Sequence, residues 1–484
     1  MSPPPLPLLP SDWSADLGLW ALAFALLAGL LLIGTAAGRR LGLHQWGIPE
    51  ALIAGSVGLA LAPDGLLPLL PPAVIQRWDS LPLALLTLVF GTLLLGKPLP
   101  RLGGLWRPLS AQVLMALTLA FGQYLVAGLA LLLVLQPLLG VAPAMACLIE
   151  VAFEGGHGSA AAMGPVYEQL GVEGGTALGL AMATVGLLAS TVVGGVVVVL
   201  ARRFGWLTPS PAATPSGPRP EAEPALQACP PAGSTPAAAA EPSVAPPPAA
   251  ASPLSSRLAA WAVNLALVGI AVGIGCLLLW LLRLAAPRLG SGAVMVIEAL
   301  PVFPLALIGS LLVRLWLERT QRQDLVSAPL QTRIGTLSAD LLIAAATACL
   351  DLSLLARDWL PLLVLALAGL GWNLAVLLLL APRLLPAPWF SRGIIEFGQA
   401  TGVAASGLLL LNMADPQDSG DALTPFSIKQ LLLQPLLAGG VITVVAPLAV
   451  NGWGLPAWTG LSLVVVLLAS GLGLWLARQA RPAG

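Results

Sequence analysis

Apolar runs close to the length of a bilayer crossing recur along this chain of 484 residues. A helix needs about 20 such residues to cross the hydrocarbon core. In lipid the backbone has no water to bond with, so only helices and closed barrels can span. Period-two strands of barrel type are absent. The chain therefore reads as an all-α integral membrane protein. Composition agrees: 57% of residues are hydrophobic and 9% charged, where an ordinary soluble domain has about a quarter charged. Net charge is zero, so nothing points to nucleic acid. Cys147, Cys229, Cys276 and Cys349 show no metal or redox spacing.

One stretch breaks the apolar pattern by composition. Pro, Ala and Ser dominate residues 207–254, with Glu221, Glu223 and Glu241 scattered through. Repeated prolines exclude a spanning helix, so 204–257 reads as a Pro/Ala-rich flexible cytoplasmic linker. It divides the chain into an N-terminal tail over 1–16 and a first membrane repeat over 17–203, then a second, inverted repeat over 258–450. An additional C-terminal transmembrane helix and tail take up 451–484. Before the linker, apolar segments are read at 17–37, 49–70, 80–96, 109–136, 143–170 and 175–201. After it they fall at 258–286, 296–316, 336–356, 359–381, 393–413, 428–450 and 457–478. The similar order suggests an internal duplication. Phe153–Ala162 aligns without gaps to Phe397–Ser406, with Phe153/Phe397, Gly158/Gly402, Ala160/Ala404 and Ala161/Ala405 in common. Earlier, Ala51–Ser56 resembles Ala306–Ser310 with one residue dropped.

Charge sets the expected topology. The first residues carry Asp12 and Asp16 without Lys or Arg, unlike a cleavable signal. Arg39 and Arg40 close the first segment, which places the N-terminus outside and the di-arginine in the cytoplasm. Lys97, Arg101 and Arg107 follow the third segment, whereas Arg314, Arg319, Arg322 and Arg333 follow the second segment of the second half. With both clusters cytoplasmic, the halves are inverted. Four crossings then end outside at the Gln136–Val141 turn, and Arg202 and Arg203 close the sixth segment inside. Segment 143–170 must enter and return on the outer side, as a re-entrant hairpin. The same count makes 393–413 re-entrant from the cytoplasm, beside Arg383 and Arg392, and puts the C-terminus, with Arg478 and Arg481, in the cytoplasm. Arg77, Arg283, Arg288 and Arg357 fall on the outer side. Opposed broken helices meeting at the midplane are expected of an alternating-access carrier.

The densest polar cluster in the apolar regions is Glu150-Val-Ala-Phe-Glu154-Gly155-Gly156-His157-Gly158-Ser159, followed by Ala160. Glycine lets backbone approach a ligand closely. Free N–H groups at a helix start suit a carboxylate, and free carbonyls with Ser159 suit Na⁺. The competing reading is tight helix packing with His157 as a satisfied core donor. The second cluster holds Glu396, Gly398, Gln399, Thr401, Gly402, Ser406 and Asn412. It offers uncharged oxygen ligands, or simply polar contacts between helices. Sodium is expected at Ser159, Thr401 and the backbone of both loops. Asp340, near the start of its run, and Glu298 and Asp351, at segment ends, are further intramembrane acids; Glu50 suits a first helical turn. Lys429, near the entry of its segment, is a candidate to read a carboxylate. A membrane-embedded metalloenzyme using Glu154 and His157 is a competing reading, but only His44 and His157 exist and no His-Glu-x-x-His pattern occurs.

These motifs resemble the bacterial glutamate:sodium symporter family. The likeness lies in Ile48-Pro49-Glu50 with Gly55, in Gly155-Gly156-His157-Gly158-Ser159-Ala160-Ala161, in the small-residue helix from Ala183-Thr184-Val185-Gly186 to Gly194-Gly195, and in the second re-entrant segment. It covers roughly 15–202 and 258–450. The resemblance implies two inverted five-helix domains, each with a re-entrant loop, and a cytoplasmic central loop. It also implies Na⁺-coupled glutamate uptake by an elevator-like motion in a homodimer of the inner membrane, without cofactor. Gly155 to Ala161 and Gln399 to Ser406 are then the loops at the binding site. The second loop is poorer in glycine than the family's usual Gly-x-Gly-x-Thr-Pro pattern. Sodium- or proton-coupled carriage of a different small organic anion is the alternative within the same class.

Overall fold

A computed structural model describes residues 13–42, 49–63, 65–95, 106–207, 254–289, 294, 297–298, 300–350, 357–416, 421–434 and 436–480. Most of the expected linker, together with Asp12, His44, Ile48, Lys97, Arg101, Asp351 and Arg481, lies outside the described residues. The described residues are helical, without strands. Seven helices among them are long and apolar enough to cross a membrane.

In the first half, α1 (Trp13–Leu41) carries Asp16 in its first turn and Arg39 and Arg40 in its last, each sign complementing the helix dipole. α2 (Glu50–Leu61) follows. The expected segment 49–70 is shorter than anticipated, because the chain turns back after Leu61: the Leu67, Leu69 and Leu70 amides bond to the carbonyls of Ala60 and Leu61. α3 (Pro72–Asp79) and α4 (Leu81–Thr92) then form nearly one span. α5 is Trp106–Ala130 and continues through a widened π turn, Leu131–Leu135, to Leu139. The widened turn ends two residues before Pro137, which lacks an N–H and crowds the carbonyl four residues back, inside that turn. A tight 3₁₀ turn, Pro143–Cys147, leads into α6 (Leu148–Phe153), α7 (Gly156–Gln169) and α8 (Gly175–Phe204).

In the second half come α9 (Leu254–Leu289), α10 (Phe303–Arg319) and α11 (Ala328–Ala348). The segment expected at 336–356 therefore sits earlier. Ser327-Ala328-Pro329 starts it, with Pro329 in the first turn where its missing N–H costs nothing. Asp340 consequently lies well inside α11 and not near its start. α12 (Trp359–Ala375) continues through a second π turn, Val376–Leu380, which ends two residues before Pro382. α13 (Trp389–Thr401) and α14 (Ala404–Ala414) follow. The span expected at 428–450 is two helices, α15 (Leu423–Leu433) and α16 (Val441–Trp453). They are separated at Ala438-Gly439-Gly440, where Ala438 and Gly439 have positive φ. α17 (Leu455–Ala480) ends the described chain.

The helices pack as two groups. α1–α4 associate with α9–α11, and α5–α8 with α12–α17. The main contacts between the groups run along α7, which touches α4 and α11, with a smaller contact of α8 on α11. The C-terminal α17 lies along α5, with Trp458 packed edge-on against Tyr124 at 5.5 Å.

Candidate functional site

Two of the short helix pairs are single segments interrupted in mid-course. α6 and α7 are 6 and 14 residues long, and α13 and α14 are 13 and 11. At 1.5 Å per residue none reaches across about 30 Å of hydrocarbon. The first interruption is at Glu154-Gly155, and Gly156 has φ +69°. That value lies in the left-handed region, open to glycine at little cost. The second is at Gly402-Val403. Neither α7 nor α14 has a side-chain cap, so the N–H groups of both first turns face the interruptions without one.

The two interruptions meet. A Cβ on Gly156 would stand 2.6 Å from Val403 Cγ1. Behind them α8 presents Gly186, whose bare Cα admits both breaks at once. A Cβ there would collide with the Thr401 carbonyl and come 2.6 Å from the Phe153 ring. Four residues further along α8, the Ser190 hydroxyl donates to the Gly398 carbonyl at 3.0 Å.

Buried polar side chains fasten each broken helix. Glu150 on α6 accepts from the Tyr124 hydroxyl at 2.6 Å, the Thr443 hydroxyl at 2.9 Å and the Ala438 amide at 3.1 Å. It thus ties the first broken helix to α5 and to the turn between α15 and α16. Glu396 on α13 accepts from Gln112 Nε2 and from Lys429 Nζ, each at 2.8 Å. Gln123 Nε2 donates to the Ala400 carbonyl at 2.6 Å and to Asn373 Oδ1 at 3.2 Å. Asn373 Nδ2 donates to the Ala400 carbonyl and to Thr401 Oγ1, both at 3.0 Å. α5 and α12 therefore cross where α13 ends.

The expected site residues divide into those brought together and one set apart. Glu154 is buried at the first break, and its Oε2 has no hydrogen-bond partner. His157 is buried with Nε2 3.0 Å from Thr184 Oγ1 on α8. Ser159 lies against Gly439 of the turn between α15 and α16, and Ala160 packs on Gly179. Gly158 faces Leu86 and Leu342 at ordinary van der Waals distance, 3.8 Å each from a Cβ placed there. Gln399, Thr401 and Ser406 are buried at the second break, Ser406 Oγ without a partner. Gly402 abuts Ser190 and Ser406. Asn412, by contrast, is exposed near the end of α14. Lys429 is held by Glu396 and Gln399 rather than turned to an open position.

Sequence reasoning passed over Gln112, Gln123, Tyr124, Asn373 and Thr443. A signal existed for the first pair. Gln112 and Gln123 stand eleven apart in an apolar helix, three turns along one face. Among the described residues no three His, Cys, Asp or Glu side chains gather as a metal site. The acceptors left open near the breaks are oxygens: Glu154 Oε2, Ser406 Oγ and Gln123 Oε1. Oxygen-only sets favour hard cations over transition metals.

The fold and this buried polar seam define a multi-pass, all-helical membrane protein organised around two interrupted helices. Residues 19–205 match the family model of the sodium/glutamate symporter, a family of transporters and not of enzymes. No curated protein and no solved structure matches the chain. The match spans the first broken helix and stops before the second.

Proposed function

We propose that this chain is a Na⁺-coupled secondary transporter that imports glutamate or a closely related small carboxylate by alternating access. The observation that carries the reading is the meeting of two helix breaks beside the unpartnered Glu154 Oε2 and Ser406 Oγ, in a chain whose residues 19–205 match the sodium/glutamate symporter family. Uncapped N–H groups at α7 and α14 suit the substrate carboxylates. Ser159, Thr401 and the carbonyls at the ends of α6 and α13 suit Na⁺. The residues of this site are Glu154 to His157, Ser159 and Ala160, together with Gln399, Thr401, Gly402 and Ser406.

The two broken helices are re-entrant loops entering from opposite faces, within inverted repeats over 17–203 and 258–450 joined by a cytoplasmic linker. The matching π turns before Pro137 and Pro382, each leading into a broken helix, support that duplication. The N-terminus lies outside and the C-terminus in the cytoplasm of the cell membrane. Motion is elevator-like. The group α5–α8 with α12–α17 carries the site past the group α1–α4 with α9–α11, in a homodimer. The contact between the groups, concentrated on α7, supports that division.

The test is uptake of labelled glutamate into proteoliposomes, with a panel of other small carboxylates alongside. Saturable uptake driven by an inward Na⁺ gradient is expected. Uptake that persists when choline replaces Na⁺ would sink the coupling, and preference for another anion would reassign the substrate.

A further inference from the structure

The two broken helices differ in how their buried carboxylates are compensated. Glu150 is held by neutral donors only, from Tyr124, Thr443 and the Ala438 amide. Glu154 Oε2 is held by nothing, and no Lys or Arg ion pair is formed by either among the described residues. Glu396 has a full cation. Lys429 is 1% exposed, and its Nζ lies 2.8 Å from Glu396 Oε2, 2.6 Å from Gln399 Oε1 and 3.3 Å from Gln430 Oε1. An ammonium has three N–H donors, and three side-chain oxygens converge on it. The Phe426 ring closes the remaining side at 4.5 Å. Oxygens converging on a point charge are also the coordination a hard metal cation takes.

We propose that Lys429 is a tethered counter-cation filling a place at the second broken helix that a Na⁺ ion would otherwise occupy. The second half of the site is then neutralised by the protein itself. Demand for a mobile cation falls on the Glu150–Glu154 side. Lys429 acts on transport through Glu396 and Gln399 and is in this sense a positioning residue. The inference deepens the Na⁺-coupled reading and rests on it only for the choice of ion.

Its test counts Na⁺ bound per chain in the purified full-length protein, with choline chloride as the reference salt and no substrate present. Lys429→Ala opens room beside the three oxygens and is expected to bind about one more Na⁺ than wild type. Lys429→Ala combined with Glu396→Gln removes both charges and should return the count to the wild-type value. Equal counts in wild type and Lys429→Ala overturn the proposal. If Lys429→Ala purifies only in NaCl, Na⁺ has replaced the ammonium and the proposal stands. If it purifies in neither salt while the double variant does, Na⁺ cannot take that place and the proposal falls. A double variant that also fails to purify overturns it too, because a neutral pair should be tolerated where an unpaired charge is not. Failure of the transport reading would show separately, as a wild-type protein without Na⁺-driven uptake. The ion count is made without substrate and without uptake, so the two failures are read apart.

Discussion

Gly156 and Gly158 stand two residues apart and have opposite tolerances. Gly156 combines φ +69° with a neighbour, Val403, 2.6 Å from where a Cβ would be. A side chain there meets a left-handed backbone, costing roughly 1–2 kcal/mol, and must also push the second break away from the first. Gly156→Ala should abolish or sharply reduce uptake while the protein still reaches the membrane. Gly158→Ala should leave uptake within about twofold of wild type, since Leu86 and Leu342 remain at ordinary contact distance. The two variants are compared by initial uptake rates normalised to protein in the membrane. Equal loss in both would mean that helix flexibility, and not the meeting of the breaks, sets the requirement.

Among the elements, α5 and α8 do the positioning. α5 supplies Gln112 to Glu396, Gln123 to the end of α13, and Tyr124 to Glu150, so one helix registers both broken segments. α8 is the wall against which both breaks lie. Its approach depends on Gly186, which faces the Thr401 carbonyl and the Phe153 ring. Gly186→Leu forces α8 away from α6 and α13 together. Overpacking of a filled core usually costs about 1–3 kcal/mol, so the thermal midpoint of the detergent-solubilised protein should fall by about 1–3 °C. An unchanged midpoint would show that α8 can withdraw freely. The same large residue at Gly195, where only Met413 is near, at 3.7 Å, should shift the midpoint far less.

For the whole molecule, the grouping of helices turns an elevator-like motion into a cross-linking experiment. α7 is the principal contact between the groups, and Gly158 faces Leu342 of α11 across it. In a background freed of Cys147, Cys229, Cys276 and Cys349, the pair Gly158→Cys and Leu342→Cys should be bridged by Hg²⁺. Bridging should stop uptake, and a thiol reductant should restore it. Bridging that leaves uptake intact would mean that the two groups do not slide along α7.

The helical, multi-pass class is legible along the chain, because the length and apolarity of a bilayer crossing are local properties. Both interruptions are legible there too. A glycine-rich polar run in hydrocarbon betrays itself wherever the rest of the chain lies, and Glu154-Gly155 and Gly402-Val403 are where the chain passes from α6 to α7 and from α13 to α14. Segment ends were less legible. Apolar residues continue through turns, as at Leu66–Leu70, so hydropathy does not mark where α2 stops. The partners of each buried charge are set by the packing of distant helices. Glu150 meets Ala438 and Thr443 nearly 300 residues away along the chain, and Gln112 meets Glu396 at similar separation. Lys429 is the clearest case. From its own neighbourhood it is a cation near a helix entry, and only the packing of α15 on α13 makes it the counter-charge of Glu396. Such pairings depend on which helix faces which, and no local pattern of residues records that.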